Sequence, residues 1–120
     1  VGENAKWKII SVFKTNTLSS QGKVFQYVIT KFNKENGFLD FVDEVKKRSL
    51  ITIPDETKET DILITLSTCS YEFQDFRTVV VARKLRRNET DNIDTSMAQK
   101  AANPLMPDCW YERYGGSAPI

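Results

Sequence analysis

A cysteine and an arginine are the residues whose types and spacing suggest chemistry in this sequence. Cys69 ends the run Thr65-Leu66-Ser67-Thr68-Cys69, and Arg77 follows Cys69 by eight residues. The runs around them predict two neighbouring strands, with the thiol at the end of the first and the guanidinium at the start of the second. A nearby cation favours the thiolate, and an arginine can donate hydrogen bonds to an oxyanion. The pattern is typical of acyl transfer through a thioester.

A structural role is the alternative for both residues. A single cysteine in an apolar strand is commonly a small core residue, and an arginine at a strand start is commonly a surface charge. The residue types and their spacing therefore leave catalysis and packing both open. The second cysteine, Cys109, lies in no such pattern and is expected to be structural or incidental, while a Cys69–Cys109 disulfide also stays open.

The composition excludes several classes of function. The 120 residues contain no histidine, which removes Cys-His and Ser-His catalysis within this chain and most zinc sites. Lys and Arg total 17 and Asp and Glu total 16, so a net charge of +1 leaves no basic excess for nucleic acid. The one dense basic run, residues 83–87, is expected to be a solvated strand end. No apolar stretch is long enough to span a membrane, and the loop-like opening at Val1 fits a piece of something longer.

A helix is predicted in the middle of the chain. Residues 38–49 carry apolar side chains at helical spacing, with acidic residues early and basic residues late, an order that complements the helix dipole. We expect the apolar face to be buried against a sheet; its members are Phe38, Phe41, Val42 and Val45.

The other predicted elements are strands, in the order β-β-α-β-β. Residues 7–15 and 24–32 are rich in aromatic and β-branched residues and predict an antiparallel hairpin. Residues 62–68 and 77–85 predict the strands that flank the loop after Cys69. The fold class is therefore mainly β, a partial, barrel-like domain of about four strands with one long helix, and so few strands cannot close and would expose edges.

The chain resembles the sortases, and within them class B. The run TLSTC followed by Arg77 resembles the TLxTC signature with its downstream arginine. The two strands predicted before it, and the helix at 38–49, are similar to elements that precede the active-site strand in class B enzymes. The tail NPLMPDCWYERYGG is similar to C-terminal extensions of some members. The resemblance divides the chain into the C-terminal half of a catalytic domain, residues 1–87, and an irregular extension, residues 88–120, held on the body by Trp110 and Tyr111.

The resemblance also implies roles for individual residues. Cys69 matches the nucleophile that attacks the threonine carbonyl of a cell-wall sorting signal. Arg77 matches the arginine that holds the substrate and stabilises the oxyanion. Ser67 and Thr68 match substrate-binding positions, and the helix is expected to form part of the groove wall.

The implied activity is that of a cysteine transpeptidase. Its partners would be the sorting-signal peptide of a surface protein and an amine of a cell-wall precursor, with no metal or organic cofactor and no nucleic acid. It would act at the outer face of the plasma membrane of a Gram-positive bacterium, held by an N-terminal anchor that this chain lacks. The family's histidine is also absent from this sequence, so the chain alone is expected to be inactive. The alternatives are a non-catalytic peptide-binding module and an unrelated small β-barrel binding domain.

Overall fold

A computed structural model describes residues 5–27, 37–87, 89 and 96–119 of the chain. In these ranges strands predominate, as predicted, and two helices accompany them. The elements in chain order are β1 (Trp7–Thr15), a short 3-10 helix (Ser19–Gln21), α1 (Gly37–Arg48), β2 (Ile51–Thr52), β3 (Leu63–Ser70), β4 (Phe76–Lys84), β5 (Gln99–Lys100) and α2 (Asp108–Tyr114).

Strand β4 is the centre of the main sheet. It pairs antiparallel with β1 on one side and with β3 on the other, in the order β1-β4-β3. A bulge interrupts β1 between Ile9 and Ser11. Because side chains alternate along a strand, the register divides the sheet into two faces, one with Phe13 and Val79 and the other with Lys14 and Thr78.

The hydrophobic core lies between the Phe13 face of the sheet and α1. Phe13, Val79 and Val81 from the sheet are fully buried against Val45 and Phe41 of the helix. The hydroxyl of Ser11 adds a polar contact, donating to the carbonyl of Val45 at 2.6 Å. The predicted helix and its burial of Phe41, Val42 and Val45 are therefore confirmed, while Phe38 is only half-buried.

The predicted hairpin is wrong in the part that the structure describes. Residues 24–27 form no strand, and the remainder of the predicted second strand lies outside the described residues. The pairing of β1 that the structure describes is with the valine-rich β4. Phe25 and Tyr27 pack their rings against Phe13, with centroid distances of 5.8 and 6.1 Å, so these aromatic residues cover the core instead of extending the sheet.

The tail is more regular than predicted. Its strand β5 pairs with β2 in a small second sheet, where Ile51 stands opposite Lys100. Its helix α2 places Trp110 6.3 Å from the ring of Phe73, and the hydroxyl of Tyr111 accepts a hydrogen bond from the backbone amide of Met106. Trp110 thus contacts the body as expected, but as part of a helix, whereas the hydroxyl of Tyr111 bonds within the tail, to Met106 and Pro104.

Within the described residues, β1 and β3 are the edge strands of the main sheet. On one face of β3 the apolar side chains of Ile64 and Leu66 are 36% and 58% accessible. The sheet does not close into a barrel within the described ranges, as so few strands predict. Among the same residues, no helix has the length and apolar character needed to cross a membrane.

The basic run at 83–87 is only partly solvated, contrary to the expectation. Arg83 is 2% exposed and donates to both Asp55, at 2.7 Å, and Glu89, at 2.7 Å. Lys8 of β1 joins Asp55 at 2.8 Å, while Arg86 pairs with Asp61. Arg83 can be buried because two carboxylates satisfy its guanidinium, and the network ties β1 and β4 to the loop before β3.

This network predicts a loss of stability in acid. Burial disfavours the charge of Asp55, but hydrogen bonds from Arg83 and Lys8 outweigh that effect and hold its pKa well below the usual value. Hydrogen bonds from Arg83 lower the pKa of Glu89 to about 2. Both carboxyls therefore bind protons more weakly when folded, so the unfolded chain takes up more protons as the pH falls. We expect the free energy of unfolding, measured with urea, to fall steadily from about pH 5 to pH 2.

Replacing Asp55 by asparagine tests whether this network causes the loss of stability in acid. Asp55→Asn leaves Arg83 buried with one carboxylate and is expected to lose ~3–5 kcal/mol at pH 7, with a shallower dependence on pH. Asp43→Asn, an exposed control on α1, is expected to have the same free energy of unfolding and the same pH dependence as the unmodified chain. Parallel pH profiles for the unmodified chain and Asp55→Asn would contradict the network's role.

The packing of α1 predicts a second stability effect. Phe41→Ala removes a buried ring from the core and is expected to lower the free energy of unfolding by ~3–5 kcal/mol. Asp43→Ala on the exposed side of the same helix is expected to change it by less than about 0.5 kcal/mol. Equal effects of the two substitutions in urea denaturation would show that α1 does not pack on the sheet through this face.

Candidate active site

Cys69 and Arg77 are direct partners across the β3–β4 ladder. Opposite residues in an antiparallel pair project to the same face of the sheet, with Cβ atoms about 4.5–5.5 Å apart. The predicted placement of the thiol and the guanidinium on adjacent strands and on one side is therefore confirmed. Their face is that of the core, and they stand at its end, where the hairpin leaves the sheet.

Both side chains are accessible to a ligand. Cys69 is an exposed free thiol, and Arg77 is half-buried. Among the described residues the Arg77 guanidinium makes one hydrogen bond, from Nη1 to the carbonyl of Phe76 at 3.0 Å, and no ion pair. Most of its donors thus remain open for a carbonyl oxygen that approaches Cys69.

The loop between β3 and β4, residues 71–75, completes a surface pocket with these two residues. The pocket has a volume of about 470 Å³. Tyr71, on this loop, is 92% exposed, and Asp75 has a positive φ of 58°, a conformation that is uncommon for a residue other than glycine. The pocket is lined by Cys69, Ser70, Tyr71, Glu72, Phe73, Gln74, Asp75 and Arg77.

Glu72 is an ionised carboxylate inside this pocket. Its partial burial disfavours the charge, but a hydrogen bond from Lys14 and another from Ser70 outweigh that effect and lower its pKa to about 2. Lys14 also donates to the hydroxyls of Ser70 and Thr78, at 3.2 and 3.1 Å. At neutral pH Glu72 carries no proton to donate, so its role here is to fix the start of the loop.

The two predicted substrate-binding residues lie on opposite faces. Ser67 is two residues before Cys69 and shares its face, and its hydroxyl is 2.9 Å from the hydroxyl of Tyr27. Thr68 stands opposite Thr78 on the other face, so the strand's alternation directs its side chain away from the thiol. Of these two, only Ser67 shares the face of Cys69, and neither is among the residues that line the pocket.

Several residues of the site were not identified from the sequence. Tyr27 belonged to a predicted strand, and its contact with Ser67 joins positions 40 residues apart. Lys14, Glu72 and Phe73 were not identified because their contacts are long-range: Lys14 of β1 pairs with Glu72, and Phe73 contacts α2 of the tail. Cys109 is a half-buried free thiol on α2 that does not line the pocket and forms no disulfide with Cys69.

Within the described ranges no cluster of three or more metal-ligating side chains occurs. The chemistry that the arrangement can perform is nucleophilic attack by a thiol beside a donor of planar hydrogen bonds. Neither a histidine nor Glu72 can protonate a leaving amine here, since the sequence has no histidine and Glu72 is ionised.

Comparison with solved structures identifies similar folds. The chain is 27% identical to sortase B of Clostridium perfringens over 71% of its own length and 45% of that protein, with a TM-score of 0.61. It is 31% identical to Staphylococcus aureus sortase B, solved as a substrate complex, over 66% of its length and 35% of that protein, with a TM-score of 0.54. A Bacillus anthracis protein described as similar to sortase B is 27% identical over 71% of this chain and 35% of that one, with a TM-score of 0.55.

The chain thus spans less than half the length of the structures it matches. No protein-family model matches the sequence, and no curated protein matches it.

The exposure of the two thiols predicts their order of reaction. Burial raises the pKa of the Cys109 thiol, whereas Cys69 is exposed. We expect iodoacetamide at pH 7.5 to modify Cys69 in the faster phase and Cys109 in the slower one, because the thiolate is the reacting species. Peptide mapping by mass spectrometry assigns each phase, with Cys69→Ser and Cys109→Ser as matched controls. Faster modification of Cys109 would contradict the exposed position of Cys69.

Proposed function

We propose that the chain, whose fold is similar to that of class B sortases, carries the nucleophile and the oxyanion-binding arginine of a cysteine transpeptidase. Cys69 is the nucleophile and Arg77 the arginine. The observation that carries the proposal is the cross-strand pairing of these two residues at the mouth of one pocket.

The first half of the reaction forms a thioester. The Cys69 thiolate attacks the carbonyl carbon after a threonine in a sorting peptide, and the carbonyl electron pair moves to the oxygen. Arg77 donates hydrogen bonds to that oxyanion, a kind of contact that is worth about 10²–10³ in rate for a well-placed donor. The intermediate then expels the peptide amine, so the C–N bond breaks as the C–S bond is retained.

The second half of the reaction transfers the acyl group. An amine of a cell-wall precursor attacks the thioester carbonyl, gives up a proton, and displaces the Cys69 sulfur as a thiolate. The product is an amide between the sorted protein and the cell wall, and the thiol returns to its starting state. These partners, and a location at the outer face of a Gram-positive plasma membrane, follow from the family and are part of the proposal.

Expulsion of the amine requires a proton that these residues do not provide. The sequence contains no histidine, and the carboxyl of Glu72 is ionised at neutral pH. General acid catalysis typically supplies about 10²–10⁴ in rate. We therefore expect the 120-residue chain to show no turnover of a sorting peptide. Cys69 is still expected to react with a peptide whose leaving group departs without taking up a proton.

A non-catalytic peptide-binding module is the second candidate. It is favoured by the same missing proton donor, together with a pocket that is open to solvent and rimmed by an exposed aromatic residue, Tyr71. The two candidates differ in whether a bound peptide carbonyl reaches the sulfur of Cys69.

A peptide chloromethyl ketone that ends in threonine distinguishes the two candidates. Such a probe is expected to bind as a sorting peptide would. The Cys69 thiolate then displaces chloride from the methylene carbon next to the ketone, which forms a thioether. We expect saturable labelling of Cys69 by mass spectrometry and none in Cys69→Ala. Arg77→Lys keeps the charge but loses the planar fork, so we expect the labelling rate to fall by about tenfold or more.

The matched control is Lys84→Arg, at the far end of β4. This substitution is expected to leave the rate at which the threonine probe labels Cys69 unchanged. A probe ending in aspartate is expected to label slowly and without saturation. If the threonine probe fails to label Cys69 while iodoacetamide still does, the transpeptidase proposal is wrong and the binding module remains.

A further inference from the structure

The hairpin loop that walls the candidate pocket also contacts the C-terminal helix α2. The ring of Phe73 lies 4.8 Å from that of Phe76, which points to the face opposite Arg77. It also lies 6.3 Å from Trp110 and 6.1 Å from Tyr114, both on α2. We call these four rings, Phe73, Phe76, Trp110 and Tyr114, the aromatic cluster. Aromatic pairs at such distances contribute beyond their buried area.

A second set of contacts holds the other end of the same loop. The side chain of Gln21 donates to the carbonyl of Gln74 at 3.0 Å, and the hydroxyl of Thr17 donates to the carbonyl of Asp75 at 2.8 Å. Asp75 is the residue with the positive φ, so its uncommon conformation is maintained from outside the loop.

The two supports meet at the start of α2. Gly22 has a φ of 135°, and a Cβ added there would stand 2.9 Å from the backbone nitrogen of Asp108. Only glycine permits so close an approach of the 17–22 segment to the helix. The segment, the helix and the loop therefore form one continuous assembly on the side of the sheet away from Cys69.

The sheet and this assembly fix different parts of the pocket. Ladder pairing of β3 with β4 fixes Cys69 and Arg77, whereas residues 71–75 of the pocket wall have no strand partner. Phe73 is the member of this wall whose ring contacts α2. We propose that α2 is a positioning element for the candidate site, which sets the peptide-binding wall through the contacts of Trp110 and Tyr114 with Phe73.

This proposal deepens the proposed function and rests on it for the identity of the ligand. It predicts that peptide binding and the reactivity of the Cys69 thiol respond differently when the contacts of Phe73 are removed. Release of Phe73 is expected to weaken peptide binding, because the wall moves, and to leave the intrinsic reactivity of Cys69 unchanged, because the ladder still holds it. A loss of overall stability would instead alter both.

The experiment compares Trp110→Ala, Phe73→Ala and the milder Phe73→Leu with the unmodified chain. Amide hydrogen exchange gives the exchange rates of the backbone amides in the loop at 71–75 and, separately, in strands β1 and β4. The threonine chloromethyl ketone gives the apparent affinity of the peptide and its maximal labelling rate. Iodoacetamide gives the reactivity of Cys69 alone, assigned by peptide mapping. Trp110→Phe is the conservative variant, and Glu112→Ala, exposed on the same helix, is the matched control.

We expect faster exchange at 71–75 with unchanged exchange in β1 and β4, and an apparent affinity for the peptide about tenfold weaker in Trp110→Ala and Phe73→Ala. The iodoacetamide rate should stay within about twofold, and Trp110→Phe should recover most of the affinity. Unchanged exchange at 71–75 in a folded Trp110→Ala variant overturns the proposal, and so does a parallel change in exchange of the sheet. If the unmodified chain does not bind the peptide, the proposed function fails, and the exchange of the loop still decides whether α2 positions it.

Discussion

Backbone pairing between β3 and β4 is the constraint on which the candidate site depends. The register sets Cys69 opposite Arg77 and so brings a nucleophile and a hydrogen-bond donor to one face. A slip of one residue would carry the Cys69 side chain to the other face, away from the arginine. Burial favours this register, since Val79 and Val81 of β4 belong to the core cluster and Leu63 of β3 packs against the same cluster. The same packing that stabilises the domain therefore also assembles the candidate active site.

Two further interactions fix the ends of the hairpin that β3 and β4 form. At the end away from the thiol, the buried guanidinium of Arg83 joins Asp55 and Glu89 and holds the chain that leads into β3. At the end near the thiol, the aromatic cluster and the ion pair of Lys14 with Glu72 hold the loop. Cys69 and Arg77 lie beside this second end, where the strands stop. There the ladder still orders the side chains while solvent can reach them. Among the described residues, exposed edge strands and the exposed apolar side chain of Leu66 are the other consequence of so small a sheet.

The sequence predicted the parts of this arrangement that depend on local pattern. Apolar spacing located α1, and the spacing of Cys69 and Arg77 across a turn placed them on adjacent strands. The conformation of residues 24–27 was not predictable in this way, because the run has strand composition, whereas the ring contacts of Phe25 and Tyr27 with Phe13 form only in the folded core. Arg83 looked like a surface charge, since its burial depends on Asp55, which lies 28 residues earlier. The contribution of α2 was likewise hidden, because its short aromatic pattern has meaning only beside Phe73.

The central claim is that Cys69 and Arg77 face each other on one side of the sheet, and disulfide trapping tests it most directly. Opposite residues in an antiparallel pair have Cα atoms about 4.5–5.5 Å apart, within the range that a disulfide spans. Arg77→Cys should therefore form a disulfide with Cys69 under mild oxidation, identified by peptide mapping, whereas Thr78→Cys on the opposite face should not. A disulfide with position 78 and none with position 77 would contradict the register and, with it, the proposed site.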